Sequence, residues 1–117
     1  MKTKKSNVSI QFIQGVNETS IPEIRLRRSP DGKKGQAIFK FKGASVFSVA
    51  NVSDIKGMYL IDDEGQISTR DINIRVSNNK NNNVEAIYKW KTDSDFTRFI
   101  RFATRYAKEN GTSHIAS

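Results

Sequence analysis

Between residues 8 and 91 apolar side chains recur mostly at every second position, and from residue 93 they recur every third or fourth. This change of period constrains the chain more than any other feature. A period of two places alternate side chains on opposite faces of a strand, whereas a period of 3.6 gathers them into one stripe of a helix. A sheet with one apolar face needs cover, and a helix with one apolar stripe needs burial. Strands first and a helix last predict an α+β fold, an antiparallel β-sheet covered by a C-terminal α-helix.

The strands can be placed individually. Val8, Ile10 and Phe12 alternate with Ser9 and Gln11, and Ile24 and Leu26 alternate with Glu23, Arg25 and Arg27. Ser29-Pro30-Asp31-Gly32 predicts a turn, because Pro presets φ, Asp bonds nearby backbone and Gly accepts positive φ. Ala37, Phe39 and Phe41 then face one way, and Gln36, Ile38, Lys40 and Lys42 the other. Met58-Tyr59-Leu60-Ile61 is apolar on both faces, as a central strand is. Asp62-Asp63-Glu64-Gly65 reads as a turn into one long strand over residues 67–76. Residues 78–83 read as a polar, flexible hairpin tip, and Val84, Ala86, Tyr88 and Trp90 are expected on one face of the last strand. Residues 43–54 follow neither period and predict a loop with one helical turn.

In the helix, Thr92 or Asp93 is the expected N-cap, with Asp95 in the first turn where the helix dipole favours it. Phe96, Phe99, Ile100, Ala103 and Tyr106 or Ala107 form the apolar stripe. Arg98, Arg101, Arg105 and Lys108, three or four apart, form a basic stripe beside it. Gly111 stands where a left-handed C-cap belongs.

With 117 residues the chain reads as a single domain, 1–117, with flexible tails over 1–7 and 112–117. It holds no cysteine and one histidine. That excludes a disulfide scaffold, an iron–sulfur protein and a cysteine nucleophile. His114 falls in a tail expected to fray, whereas a catalytic imidazole must be held by a third group. Asp62, Asp63 and Glu64 lack the alternating ligands of a calcium loop. Gly32-Lys33-Lys34-Gly35 lacks the frame of a phosphate loop. The expectation is no catalytic residue, no metal and no cofactor, hence no enzyme. A charge-free stretch with apolar density, such as 43–53, is far short of the roughly 20 residues of a spanning helix. The N-terminal lysines precede no apolar run, so the four N-x-[ST] sequons carry no weight. A soluble protein of a reducing compartment is expected.

Charge supplies the remaining signal. Twenty Lys and Arg against 12 Asp and Glu give a net charge of +8. Arg25 and Arg27 share the non-core face of one strand and Lys40 and Lys42 that of the next, with Arg28, Lys33 and Lys34 at the hairpin end. Arg25, Arg27, Arg28, Lys40 and Lys42 are therefore the candidate partner-binding residues for an acidic partner. A merely solvated face is the other reading, and composition does not separate the two. A small basic nucleic-acid-binding module is the alternative function. Residues 34–41 match the RNP1 pattern at Lys34, Gly35, Ala37 and Phe41, but Gln36 and Ile38 stand where stacking aromatics belong. The order of elements also differs from that of RNA-recognition domains, which alternate strands with two helices.

Four segments together, residues 10–16, 21–41, 57–70 and 84–111, resemble the photosystem II reaction-centre protein of the Psb twenty-eight (Psb W-like) family. The runs G-M-Y-L-I-D-D-E-G at 57–65 and R-F-I-R-F-A-T-R-Y-A-K-E-N-G at 98–111 carry the resemblance. Residues 43–54 and 77–83, Pro30, Phe96 and the 112–117 tail depart from the family pattern. The resemblance implies a central antiparallel sheet with a C-terminal helix and a non-enzymatic, pigment-free protein. It implies peripheral attachment to the cytoplasmic or stromal side of the thylakoid membrane, in a plastid or cyanobacterium. The implied partners are photosystem II core subunits, chiefly the larger inner-antenna chlorophyll protein and the reaction-centre core near the secondary quinone site, bound as assembly intermediates and released before the complex matures.

Overall fold

Alternating apolar positions become strands, and the last stripe becomes a helix. The structure, a computed structural model, describes residues 7–76 and 82–111. Among them the order is β1 (Ser9–Ile13), β2 (Val16–Asn17), β3 (Glu23–Arg28), β4 (Gly35–Phe41), β5 (Met58–Asp62), β6 (Gly65–Thr69), β7 (Ile72–Val76), β8 (Asn82–Trp90) and α1 (Asp93–Glu109). Residues 1–6, 77–81 and 112–117, and with them His114, lie outside the described residues; of the tip expected over 78–83, Asn82 and Asn83 belong instead to β8.

The α+β class is as expected, but the strands divide into two antiparallel four-stranded sheets, β2-β1-β5-β6 and β3-β4-β8-β7. The stretch 67–76 is not one strand. It leaves the first sheet after Thr69 and enters the second at Ile72. The crossing is tied to β8, where the Thr69 hydroxyl donates to the Ile87 carbonyl at 2.6 Å and the Ile87 N–H donates to the Asp71 carbonyl at 2.9 Å.

The inner faces of the two sheets and one side of α1 share a core. Phe12 of the first sheet meets Phe41 of the second edge-on at 4.9 Å. Phe99 of α1 stacks on Tyr88 at 5.5 Å and Trp90 at 5.6 Å and meets Phe39 edge-on at 6.0 Å. Ile10, Phe39, Met58, Leu60, Phe99 and Phe102 are each 0% exposed. At roughly 1.5–3 kcal/mol per buried large apolar side chain, this aromatic layer dominates the stability of the fold. The helix ends follow the sequence reading. Thr92 caps the start, its hydroxyl accepting from the Asp95 N–H at 3.0 Å, and Gly111 adopts φ 68° beyond the last turn.

Residues 43–54 carry two 3-10 turns, Ser45–Ser48 and Val52–Asp54. The first is held by a buried carboxylate that the sequence reading did not single out. Glu18 accepts from the Ser45 N–H (2.6 Å), the Ser45 hydroxyl (2.9 Å), the Val46 N–H (3.0 Å) and the Ser20 N–H (3.0 Å). Four donors satisfy a charge that burial would otherwise penalise.

Gly35 is required by packing rather than by φ. A Cβ on Gly35 would lie 2.5 Å from the Arg27 carbonyl oxygen and 2.5 Å from Trp90 Cζ2. Gly35→Ala is expected to cost about 2 kcal/mol by overpacking. Urea denaturation checks this, and an unchanged midpoint contradicts the close approach of the indole.

Candidate functional site

The helix packs on the inner face of the second sheet and on β5 of the first, so the outer face of β3, β4 and β8 stays open. Strand register sets what this face displays. Glu23 pairs with Lys40 and Lys40 with Glu85; Arg25 pairs with Ile38 and Ile38 with Ile87; Arg27 pairs with Gln36 and Gln36 with Lys89. The result is a half-buried Ile38–Ile87 pair framed by Arg25, Arg27, Lys40 and Lys89.

Of the five candidate partner-binding residues, Arg25, Arg27 and Lys40 share this face, and Lys42 continues its alternation one step past β4. Lys40 and Lys42 both act on the Glu23 carboxyl. It is held below its ordinary value first by a hydrogen bond from Arg25 at 2.7 Å, then by Arg25's charge and these two lysines. Arg27, Lys40 and Lys42 form no ion pair among the described residues. Arg28 is not brought to this face. It shares the parity of Ile24 and Leu26, and its guanidinium lies 4.2 Å from the centre of the Phe96 ring while donating to the Gly32 carbonyl at 2.9 Å.

The basic stripe of α1 does not stay open. Arg98 grips Asp62 with two bonds, of 2.9 and 2.7 Å, and Arg105 adds a third of 2.9 Å. Arg101 makes a two-pronged contact with Glu64 at 2.7 and 2.8 Å, and Arg105 also reaches Glu64 at 2.5 Å. The turn read from Asp62-Asp63-Glu64-Gly65 is present, joining β5 to β6. It also anchors the helix, a role missed when its carboxylates were read as turn residues alone. Burial pushes the Asp62 carboxyl up, but hydrogen bonds from Arg98 and Arg105 outweigh it and hold the group below the usual value. Arg101 and Arg105 hold Glu64 down at about 2.

The outward positions of β4 are Gln36, Ile38 and Lys40, while Phe39 and Phe41 are buried in the core. This face therefore offers no aromatic ring for stacking on bases, which sequence-tolerant single-strand binding requires. Among the described residues no group of three His, Cys, Asp or Glu could hold a metal ion, and no helix is long and apolar enough to cross a membrane.

Comparison with known proteins supplies the rest. Residues 10–114 match the family described as Psb28 protein. The "Photosystem II reaction center Psb28 protein" of Prochlorococcus marinus (strain MIT 9211) is 55% identical over 114 residues, 97% of either chain. The protein of that name in Guillardia theta is 49% identical over 89% of this chain and 91% of its own, and that of Pyropia yezoensis 48% over 88% and 91%. A match spanning both sheets and the helix, at these identities, places the chain in the Psb28 family of photosystem II proteins.

Proposed function

We propose that the chain assists photosystem II biogenesis by binding alone. It attaches peripherally, from the cytoplasmic or stromal side of the thylakoid membrane, to assembly intermediates. The contact lies near the larger inner-antenna chlorophyll protein and the secondary quinone site, and the factor leaves before the complex matures. The observation that carries this reading is the uncovered basic face of β3, β4 and β8, on a chain whose relatives are named for photosystem II.

Recognition is by strand addition. β3 is an edge of the second sheet and carries three arginines in six residues. Charged side chains protect such an edge in the free protein. In the complex its backbone groups pair with an extended acidic segment, which supplies affinity without a large apolar interface. The charges of Arg25, Arg27, Lys40 and Lys42 set approach rate and register. A subunit loop held in a non-final conformation then shields an unfinished quinone site by geometry.

Reversing Arg25 and Arg27 to Glu is expected to weaken co-purification with solubilised thylakoid complexes about tenfold or more at low salt. The deficit narrows at high salt, where screening shortens the reach of charge to a few ångströms. The circular dichroism spectrum stays unchanged. Retention equal to the parent at every ionic strength, or a complex in which α1 makes the whole contact, refutes this reading.

A further inference from the structure

Beside the flat face, the β3–β4 turn and the end of β8 enclose an open cleft of about 370 Å³. Five cations line it, Arg27, Arg28, Lys34, Lys89 and Lys91, and no carboxylate does. Arg28 is braced on Phe96, and Lys89 reaches Asp71 only at 3.8 Å. Arg27, Lys34 and Lys91 form no ion pair among the described residues. Asp31, in the adjoining turn, is already engaged, accepting from the Ser29 hydroxyl at 2.6 Å and the Lys33 N–H at 3.0 Å. So many like charges around one concavity repel one another in the free protein, and they focus a positive potential into it.

The floor is built from Gly35 and Trp90. With no side chain on Gly35, the indole closes over the strand, Cζ2 and Cε2 lying 2.5 and 2.8 Å from where a Cβ would stand. Nε1, bonded to Cε2, is buried and has no hydrogen-bond partner among the described residues. Buried donors are nearly always paired, so this N–H is an exception that asks for an acceptor.

We propose that this cleft is a recognition site for the carboxylates of an acidic segment of a protein partner, with the Trp90 N–H as donor to one of them. The proposal rests on the docking reading above and deepens it. The volume is at the small end of ligand pockets and suits a few side chains rather than a folded surface. A bilayer is disfavoured by shape, because the cations stand around a recessed floor. Trp90 is 2% exposed, so its ring does not insert at an interface as membrane-surface tryptophans do.

Trp90 is the only tryptophan in the chain, so it gives one indole N–H resonance. The test titrates the full-length, nitrogen-15-labelled protein with hexaglutamate, with inorganic phosphate, and with vesicles of phosphatidylglycerol and phosphatidylcholine. Hexaglutamate is expected to move the indole resonance and the Gly35 amide. Lys34→Glu combined with Lys91→Glu, both exposed, weakens that binding at least tenfold without lowering the melting temperature. An unmoved indole, or equal hexaglutamate binding by the double variant, overturns the proposal. So does a shift produced as strongly by phosphate, or one produced by vesicles alone. A double variant that loses hexaglutamate yet co-purifies undiminished with photosystem II removes the cleft from docking and leaves the docking reading standing. A parent chain that binds hexaglutamate but never co-purifies sinks the docking reading instead.

Discussion

Phe99→Ala is expected to lower folding stability by about 4 kcal/mol, the range for deleting a fully buried aromatic ring. Phe99 is 0% exposed and touches the rings of Phe39 on β4 and of Tyr88 and Trp90 on β8. Its loss leaves a cavity where α1 meets the second sheet. Arg101, on the opposite side of the helix with 47% of its side chain exposed, makes only a surface ion pair with Glu64. Arg101→Ala is therefore expected to cost less than about 1 kcal/mol. Urea unfolding of the two variants measures the difference directly. Equal midpoints would mean that the faces of α1 are reversed.

Asp62→Ala is expected to cost about 3 kcal/mol, the lower end for breaking a buried ion pair. The Asp62 side chain is fully buried, whereas Arg98 keeps 17% and Arg105 35% of theirs exposed and can turn toward water. A pH signature accompanies the loss. The folded-state carboxyls of Asp62 and Glu64 both titrate below their ordinary values, Glu64 at about 2. As pH falls, the unfolded chain takes up protons first, so stability present above about pH 4.5 fades toward pH 2. Thermal melts across that window are expected to fall steeply for the parent and less steeply for Asp62→Ala. Parallel slopes would place the acid sensitivity elsewhere in the chain.

Individual strands and the helix were legible because burial imposes a period, and the period is local. Pairing between strands is not local, which is why one sheet was read where two form. A sign of the second sheet was nonetheless present. Ile67 and Ile72 are five positions apart, and an odd spacing cannot keep two residues on one face of a straight strand. The same parity argument assigns Arg28 to the side of Ile24 and Leu26, away from Arg25 and Arg27. Two-residue β2 carries too little pattern to be read. The clasp between Asp62, Glu64 and the arginines of α1 joins residues more than thirty positions apart, so spacing alone could not reveal it. Glu18 is similar: its donors are mostly backbone N–H groups, which leave no trace in side-chain chemistry.

The interleaving of the two sheets sets the order in which a growing chain can fold. The first sheet has all its strands once Thr69 has emerged from the ribosome, but its inner face then lies bare, and Asp62 has neither arginine. The β3–β4 hairpin waits for β8, and both sheets wait for α1, the last of the described elements to emerge. Contacts of such sequence separation form slowly, on the millisecond-to-second scale of sheet-rich domains. Cooperative closure therefore waits for α1 to emerge, and a transcript cut short anywhere before the helix yields a chain whose aromatic layer stays open to chaperones and proteases.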